Sequence, residues 1–315
     1  MKYIRIIVLL LALISNLEAT KYAGEIFSLS TGVQNQAMGN TGLTYTQSHA
    51  AGWWNPSLLA IDSHQGVELM RSDYFKGLLT QNQISVRVGT GTAISINHLA
   101  IDDVKLTKLE NEDDELSNDN RPYVWKTVTN QDIIINASYG RALRNNLYWG
   151  ISPKIAYRNL AEHGGYGIGA DLGALWDPGK GFLLGLNLRD FFGTQILWDS
   201  GEHEIAVPSL DLELGYVRKF PKLNIPIHVA LRAQTFIEER GEASTISNST
   251  FSTDFHAGLM LQPIPALKLM GGYDIDSISA GIGIEYRAFG LNYAFKNSSP
   301  DGLGNSQKIA LSYSW

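Results

Sequence analysis

Apolar and polar positions alternate one by one along most of this chain, from residue 66 to residue 315. Ile309, Leu311, Tyr313 and Trp315 are separated by Ala310, Ser312 and Ser314. Phe289, Leu291, Tyr293 and Phe295 are separated by Gly290, Asn292 and Ala294, and Ile278, Ala280, Ile282, Ile284 and Tyr286 by Ser279, Gly281, Gly283 and Glu285. The same period runs through 255–261, 225–231, 210–216, 182–188, 168–176, 149–157 (with Pro153 as an interruption) and 133–139. It is weaker at 66–75, 81–89, 92–100 and 266–274. A period of two sends successive side chains to opposite faces of a strand. About fourteen strands are predicted, many near the ten-residue length that a tilted membrane strand needs.

The connections carry a second pattern. Counting strands from residue 66, the even-to-odd links are short: 90–91, 142–146, 177–180, 219–224, 263–265 and 287. Most odd-to-even links are longer, at 101–130, 191–207, 238–252 and 298–305, with short exceptions at 76–80, 161–165 and 275. Short turns at one end and long loops at the other are the habit of outer-membrane barrels, whose apolar face meets lipid while the other lines a lumen. The expected fold is all-β: a transmembrane antiparallel β-barrel over 65–315. An aromatic residue at the end of an alternating strand, here Tyr313 and Trp315, fits the signal read by the barrel-assembly machinery.

Composition agrees with this reading. Mean hydropathy is −0.08, and beyond the first residues no apolar run is long enough for a membrane helix. The 31 glycines, 14 tyrosines and 7 tryptophans suit curved strands and interfacial aromatics. A net charge of −6 speaks against nucleic acid as a partner. The chain has no cysteine, so disulfides and thiolate metal sites are excluded. At the start, Lys2 and Arg5 precede the apolar run 6–14, and Leu17-Glu18-Ala19 offers a cleavage site. Residues 1–19 therefore read as a signal peptide that exports the chain.

Residues 20–64 do not alternate. They are rich in Gly, Ala, Ser, Thr and Asn, and carry Trp53, Trp54, Leu58 and Leu59. A free tail would expose that apolar cluster to water, so the segment is expected to pack inside the lumen. Its pattern runs from Ala23 to Phe27, through Ala37-Met38-Gly39, Gly42 and Tyr45, to Trp54-Asn55-Pro56. This set resembles the opening of the PorV/PorQ family, within the wider group of long-chain fatty-acid transporter-like barrels. Gly39-Asn40 stands where Gly-Gly is more usual, and Ser48-His49 where an acidic pair is common. In these relatives the segment forms a plug inside the barrel. The resemblance implies a non-enzymatic role linked to type IX secretion, with secretion-system proteins or exported cargo as partners beside outer-membrane lipid. The alternative is a channel of the fatty-acid-transporter type for small hydrophobic molecules.

Catalytic chemistry finds no support. The seven histidines show no metal-ligand spacing, and there is no Gly-x-Ser-x-Gly. Gly167-Ile168-Gly169 and Gly281-Ile282-Gly283 lie inside strands, away from any nucleotide-binding turn. No cofactor is expected. The alternation points Arg87, Arg158, Asp171, Arg189, Glu213, Arg232, Glu285 and Arg287 into the lumen, with Lys154, Asp211, Lys268, Lys296 and Lys308. Charges of both signs in a confined space are expected to pair with each other or with the plug. Segment 101–122 holds eight acidic residues: Asp102, Asp103, Glu110, Glu112, Asp113, Asp114, Glu115 and Asp119. It reads as a solvated outer loop.

Overall fold

The computed structural model describes residues 23–220, 224–297 and 302–315. The expected signal peptide, 1–19, lies outside the described residues. Among the described residues, seventeen strands form a single sheet. They are β1 (Gly66–Tyr74), β2 (Leu79–Val88), β3 (Thr92–Leu109), β4 (Pro122–Arg144), β5 (Leu147–Leu160) and β6 (His163–Gly179). Then come β7 (Phe182–Arg189), β8 (Thr194–Trp198), β9 (His203–Ala206), β10 (Ser209–Lys219), β11 (Pro226–Phe236) and β12 (Ile246–Ser247). The last are β13 (Ser252–Ile264), β14 (Leu267–Asp274), β15 (Ser277–Tyr286), β16 (Phe289–Lys296) and β17 (Ser306–Ser314). Fourteen of these build a closed antiparallel ring; β8, β9 and β12 are short additions in the outer connections. Closure is direct, because β1 pairs with β2 on one side and with β17 on the other. A closed ring leaves no strand edge to be satisfied by lipid.

The wall is inverted relative to a soluble protein. In β10, Asp211 and Glu213 are fully buried, while Leu210, Leu212 and Leu214 are among the most exposed large apolar residues. Ile278, Ile282 and Ile284 of β15 and Leu291 and Tyr293 of β16 repeat the arrangement. Apolar surface on this scale is stable only against hydrocarbon.

Two expected loops are largely strand. The sequence pattern predicts a connection over 101–130, but β3 and β4 continue pairing through it as far as Leu109 and Pro122, leaving only 110–121 as the tip. Both faces of this extension are largely exposed, for example at Lys105, Thr107, Val124 and Lys126. A hairpin that rises above the membrane meets water on both sides and has no reason to alternate. Segment 191–207 likewise contains β8 and β9, which pair with each other, and β8 also pairs with β6.

Strand β7 is broken sharply. Leu188 pairs with Leu172, and the next partners are Gln195 and Ile168. Asp190, at φ 50°, turns the chain inward, and the Phe191 N–H donates to the Ala170 carbonyl at 3.1 Å. Asp190 and Thr194 are buried and hydrogen-bonded to each other, while Phe192 faces outward.

Candidate functional site

Residues 23–60 lie against the inward face of the wall as short helical turns joined by extended chain. These turns are Glu25–Ser28, Val33–Ala37, Ala51–Trp54 and Pro56–Ala60. The Trp-Asn-Pro motif has a local physical basis. Asn55 accepts from the Ser57 N–H at 3.2 Å and so caps the last turn, whose first position is Pro56. The Asn55 amide also donates to the Leu43 carbonyl at 3.0 Å and to Ala174 of β6 at 3.1 Å. Trp54 Nε1 donates to the Thr31 carbonyl at 2.9 Å, which ties the two ends of the segment together. At the other motif, Ser279 of β15 accepts from the Gly39 N–H at 3.0 Å and donates to the Ala37 carbonyl at 3.1 Å. Met38 between them is fully buried.

Most of the lumen charges are occupied by the segment or by each other. Glu213 accepts from the backbone N–H of Gly42 at 2.7 Å and of Thr44 at 2.8 Å, and from the Thr44 hydroxyl at 2.6 Å. Arg87 donates to the carbonyls of Thr46 at 2.9 Å and Asp62 at 2.6 Å. Arg189 and Arg232 share Asp211 at 2.7 and 2.9 Å. Arg232 also donates to the Asn40 carbonyl at 2.7 Å, and the Arg189 guanidinium lies 4.1 Å from the Trp53 ring centre. Lys154 bridges Asp171 at 2.8 Å and Asp190 at 2.7 Å, holding the break in β7 inward. Arg158 pairs with Asp132 at 2.7 Å. Glu285 is half-buried and pairs with Lys268.

Arg287 departs from the expectation. It sits in the turn between β15 and β16 at φ 56°, exposed and stacked on Tyr286, so it does not face the lumen. The alternation that placed it inward stops at Tyr286, where the strand ends. Tyr313 and Trp315 stack at 6.0 Å beside the β1–β17 pairing, and the Trp315 N–H donates to the Gln65 carbonyl at 3.1 Å. Among the described residues, no group of three or more His, Asp or Glu is placed to hold a metal ion. His203, in β9, contacts Gln195.

Sequence reasoning passed over the wall positions that receive the segment. Gly140, Gly150 and Gly173 stand side by side in register across β4, β5 and β6. A Cβ at Gly150 would lie 2.5 Å from the Pro56 carbonyl carbon, and one at Gly173 would lie 2.7 Å from Pro56 Cδ. A second row, Gly215, Ala230, Gly258, Gly272 and Ser279, crosses five strands in register. Met38 and Thr44 press on it. Alternation puts these small residues on the inward face but leaves register free by steps of two, so their alignment appears only in the strand pairing.

At the outer end, the inward face changes character. Leu99, Ile134, Ala156 and Ile196 are buried there and pack with Ala23 and Phe27 of the segment. Beside them an apolar cavity of about 380 Å³ opens between the segment and β2–β5, lined by Ile26, Leu29, Leu79, Leu99 and Leu160, with the Asp132–Arg158 pair in its wall.

No family model and no curated relative matches the chain. Solved structures do. The chain is similar to the Pseudomonas putida toluene transporter TodX, with a TM-score of 0.58 at 12% identity over 90% of this chain and 98% of that one. It is also similar to the Ralstonia pickettii toluene transporter TbuX, with a TM-score of 0.51 at 13% identity over 90% and 97%. A Pseudomonas aeruginosa FadL homologue gives a TM-score of 0.52 at 10% identity over 91% and 98%. At such identities the likeness is one of fold. With the fourteen-strand ring, it makes this chain a multi-pass β-barrel of the outer membrane.

Proposed function

We propose that this barrel takes up small hydrophobic molecules across the outer membrane, and that residues 20–64 plug its lumen. The observation that carries the reading is the apolar cavity that stands open at the outer mouth, whereas the other apolar wall residues, such as Met70, Met260 and Leu175, are covered by the segment. An apolar solute leaving water gains about 25 cal/mol per Å² of surface buried, and this cavity is where an incoming molecule first finds such surface. The lumen charges do little to oppose this role, since most are spent on one another and on the segment's backbone. The solved barrels of the same fold include toluene transporters. The secretion-linked reading rests on the N-terminal resemblance alone and is placed second. The test is uptake of radiolabelled toluene and of oleate by cells whose outer membrane carries the protein, compared with a Leu99→Asp variant. Uptake above that of cells lacking the barrel, reduced by Leu99→Asp, is expected. Rates equal to those of barrel-free cells for both probes would overturn the reading.

A further inference from the structure

A run of unpaired cations marks the end of the barrel where the turns are short, the end that faces the periplasm. Three of these turns, β4–β5, β6–β7 and β10–β11, stand next to one another around the ring, because β5 pairs with β6 and β7 with β10. The turns and the strand ends beside them hold Arg141, Arg144, Lys180, Arg218 and Lys219, all exposed. None of the five has an ion-pair partner among the described residues. Asp177 is the one acid on this arc among the described residues. It is turned to its own backbone, accepting the Gly179 N–H at 2.8 Å.

What the arc faces follows from the aromatic residues along it. The rings of Tyr139 and Trp149 meet edge-on at 6.4 Å, those of Phe182 and Tyr216 lie 4.8 Å apart, and Trp176 is exposed between the two pairs. A band of aromatic side chains on the outward face marks the level where hydrocarbon gives way to headgroups. The cations stand at that level and on that face. Arg141 lies two residues beyond Tyr139 on β4, on the same outward set, and pairs in register with Trp149 of β5. Arg218 follows Tyr216 on β10 in the same way, and its guanidinium donates to the Tyr216 hydroxyl at 3.2 Å. Arg144 borders an open groove with Asn145, Asn146, Leu147 and Trp176.

That groove combines a guanidinium and two side-chain amides, all donors, with the apolar surfaces of Leu147 and Trp176. A guanidinium matches a phosphate group with two parallel hydrogen bonds, and the apolar surfaces beside it suit the first carbons of an acyl chain. We propose that this arc binds the headgroups of anionic phospholipids in the leaflet on the periplasmic side, with one phosphate seated at Arg144. The other end of the barrel carries the opposite sign. The tip 110–121 of the long hairpin sets six acidic residues against Arg121, so anionic lipid is favoured at one end and repelled at the other. An acidic polypeptide would match the charges equally well, but it has no use for the aromatic band that the cations share. The arc lies outside the lumen, and the proposal does not depend on what the lumen carries.

The full-length protein in a nonionic detergent is mixed with equal amounts of phosphatidylglycerol and phosphatidylcholine, and the lipids it retains are read by native mass spectrometry. Preferential retention of phosphatidylglycerol is expected. Arg141→Gln combined with Arg144→Gln should cut that retention about 25-fold, at about fivefold for each cation near a membrane surface. Lys105→Gln combined with Lys108→Gln removes the same charge from the outer hairpin and should leave retention unchanged. Circular dichroism and heat-modifiable migration check that each variant keeps a closed ring. Polyglutamate and glycerol 3-phosphate, at concentrations matching the lipid, serve as competitors and should displace nothing. Equal retention of the two lipids, or an equal loss in the two double variants, would overturn the site. Displacement by polyglutamate would give the arc to an acidic protein, and displacement by glycerol 3-phosphate to a free phosphate ester; either would end the lipid assignment. None of these results bears on toluene uptake, which is read in a separate assay.

Discussion

The Glu213 carboxylate, in the middle of β10, accepts the backbone N–H of Gly42 at 2.7 Å across 171 residues of sequence. With the two bonds from Thr44 it forms a three-point clasp between wall and segment. Glu213→Gln replaces one acceptor oxygen by a donor facing a donor. The clasp should lose on the order of 1–3 kcal/mol, while the ring, held by its inter-strand hydrogen bonds, stays closed. Single-channel recordings should show openings that the parent lacks, with unchanged circular dichroism. Conductance equal to the parent would remove Glu213 as an anchor.

The glycine row under Pro56 makes a steric prediction. A valine at Gly150 would drive its Cβ into the Pro56 carbonyl carbon, 2.5 Å away, and into the Ser57 nitrogen at 2.6 Å. Main-chain atoms cannot step aside as a flexible side chain would. Gly150→Val should therefore lift the Asn55–Pro56 turn off the wall and expose it to protease from the inner side. Gly290→Ala, whose nearest neighbours are the Ser312 side chain and the Ile284 carbonyl oxygen of the wall, should leave the cleavage pattern unchanged. Protection of Gly150→Val equal to the parent would count against the row as a seat.

The lipid face can be tested at one residue pair. Leu212 is 44% exposed and its neighbour Glu213 is 0% exposed. Leu212→Arg puts a charge into hydrocarbon and should cost about 2–4 kcal/mol if the position lies near the midplane. The measurement is reversible denaturant-driven folding into vesicles. A cost near zero would falsify the assignment of this face to the bilayer.

His49 gives the segment a pH dependence. Its ring meets that of His64 edge-on at 5.2 Å and lies 3.4 Å from the Ser314 hydroxyl. Burial, then the neighbouring His64, Arg87 and Lys268, push its pKa down from 6.5 to about 3, with Asp62 opposing. The packed state thus holds a neutral ring where a released segment would bind a proton. The sign follows: the contribution is fully present above pH 6.5 and is lost progressively as pH falls toward about 3. Acidification through that window should raise protease access to residues 45–50, and His49→Gln should flatten the response. A wild-type pattern that does not change with pH would contradict this.

The wall was legible because its polarity is inverted and periodic: Leu212 outward and Glu213 inward need no partner to be read. The hairpin above the membrane was not, because Lys105 and Val124 both face water and carry no alternation. Arg287 was misplaced because a period cannot say where a strand stops. The segment's burial could be read from Trp53, Trp54, Leu58 and Leu59, which water would not tolerate. Its anchors could not, since Glu213 and Gly42 meet only once the ring has closed. The outer mouth did leave a signal. Leu99, Ile134 and Ala156 are apolar residues on the inward face of three neighbouring strands, β3, β4 and β5.

The two rows of small residues bear on what remains if the segment withdraws. A lumen lined by long side chains can relax inward and refill vacated space. Along the two rows themselves, in β4–β6 and from β10 to β15, the wall facing the segment is nearly bare main chain held in a hydrogen-bonded lattice, with long side chains such as Glu213 and Arg232 only beside it. It has little to swing inward. Along these rows the vacancy would keep the segment's own outline, so the passage should open there in one step, as a two-position valve does.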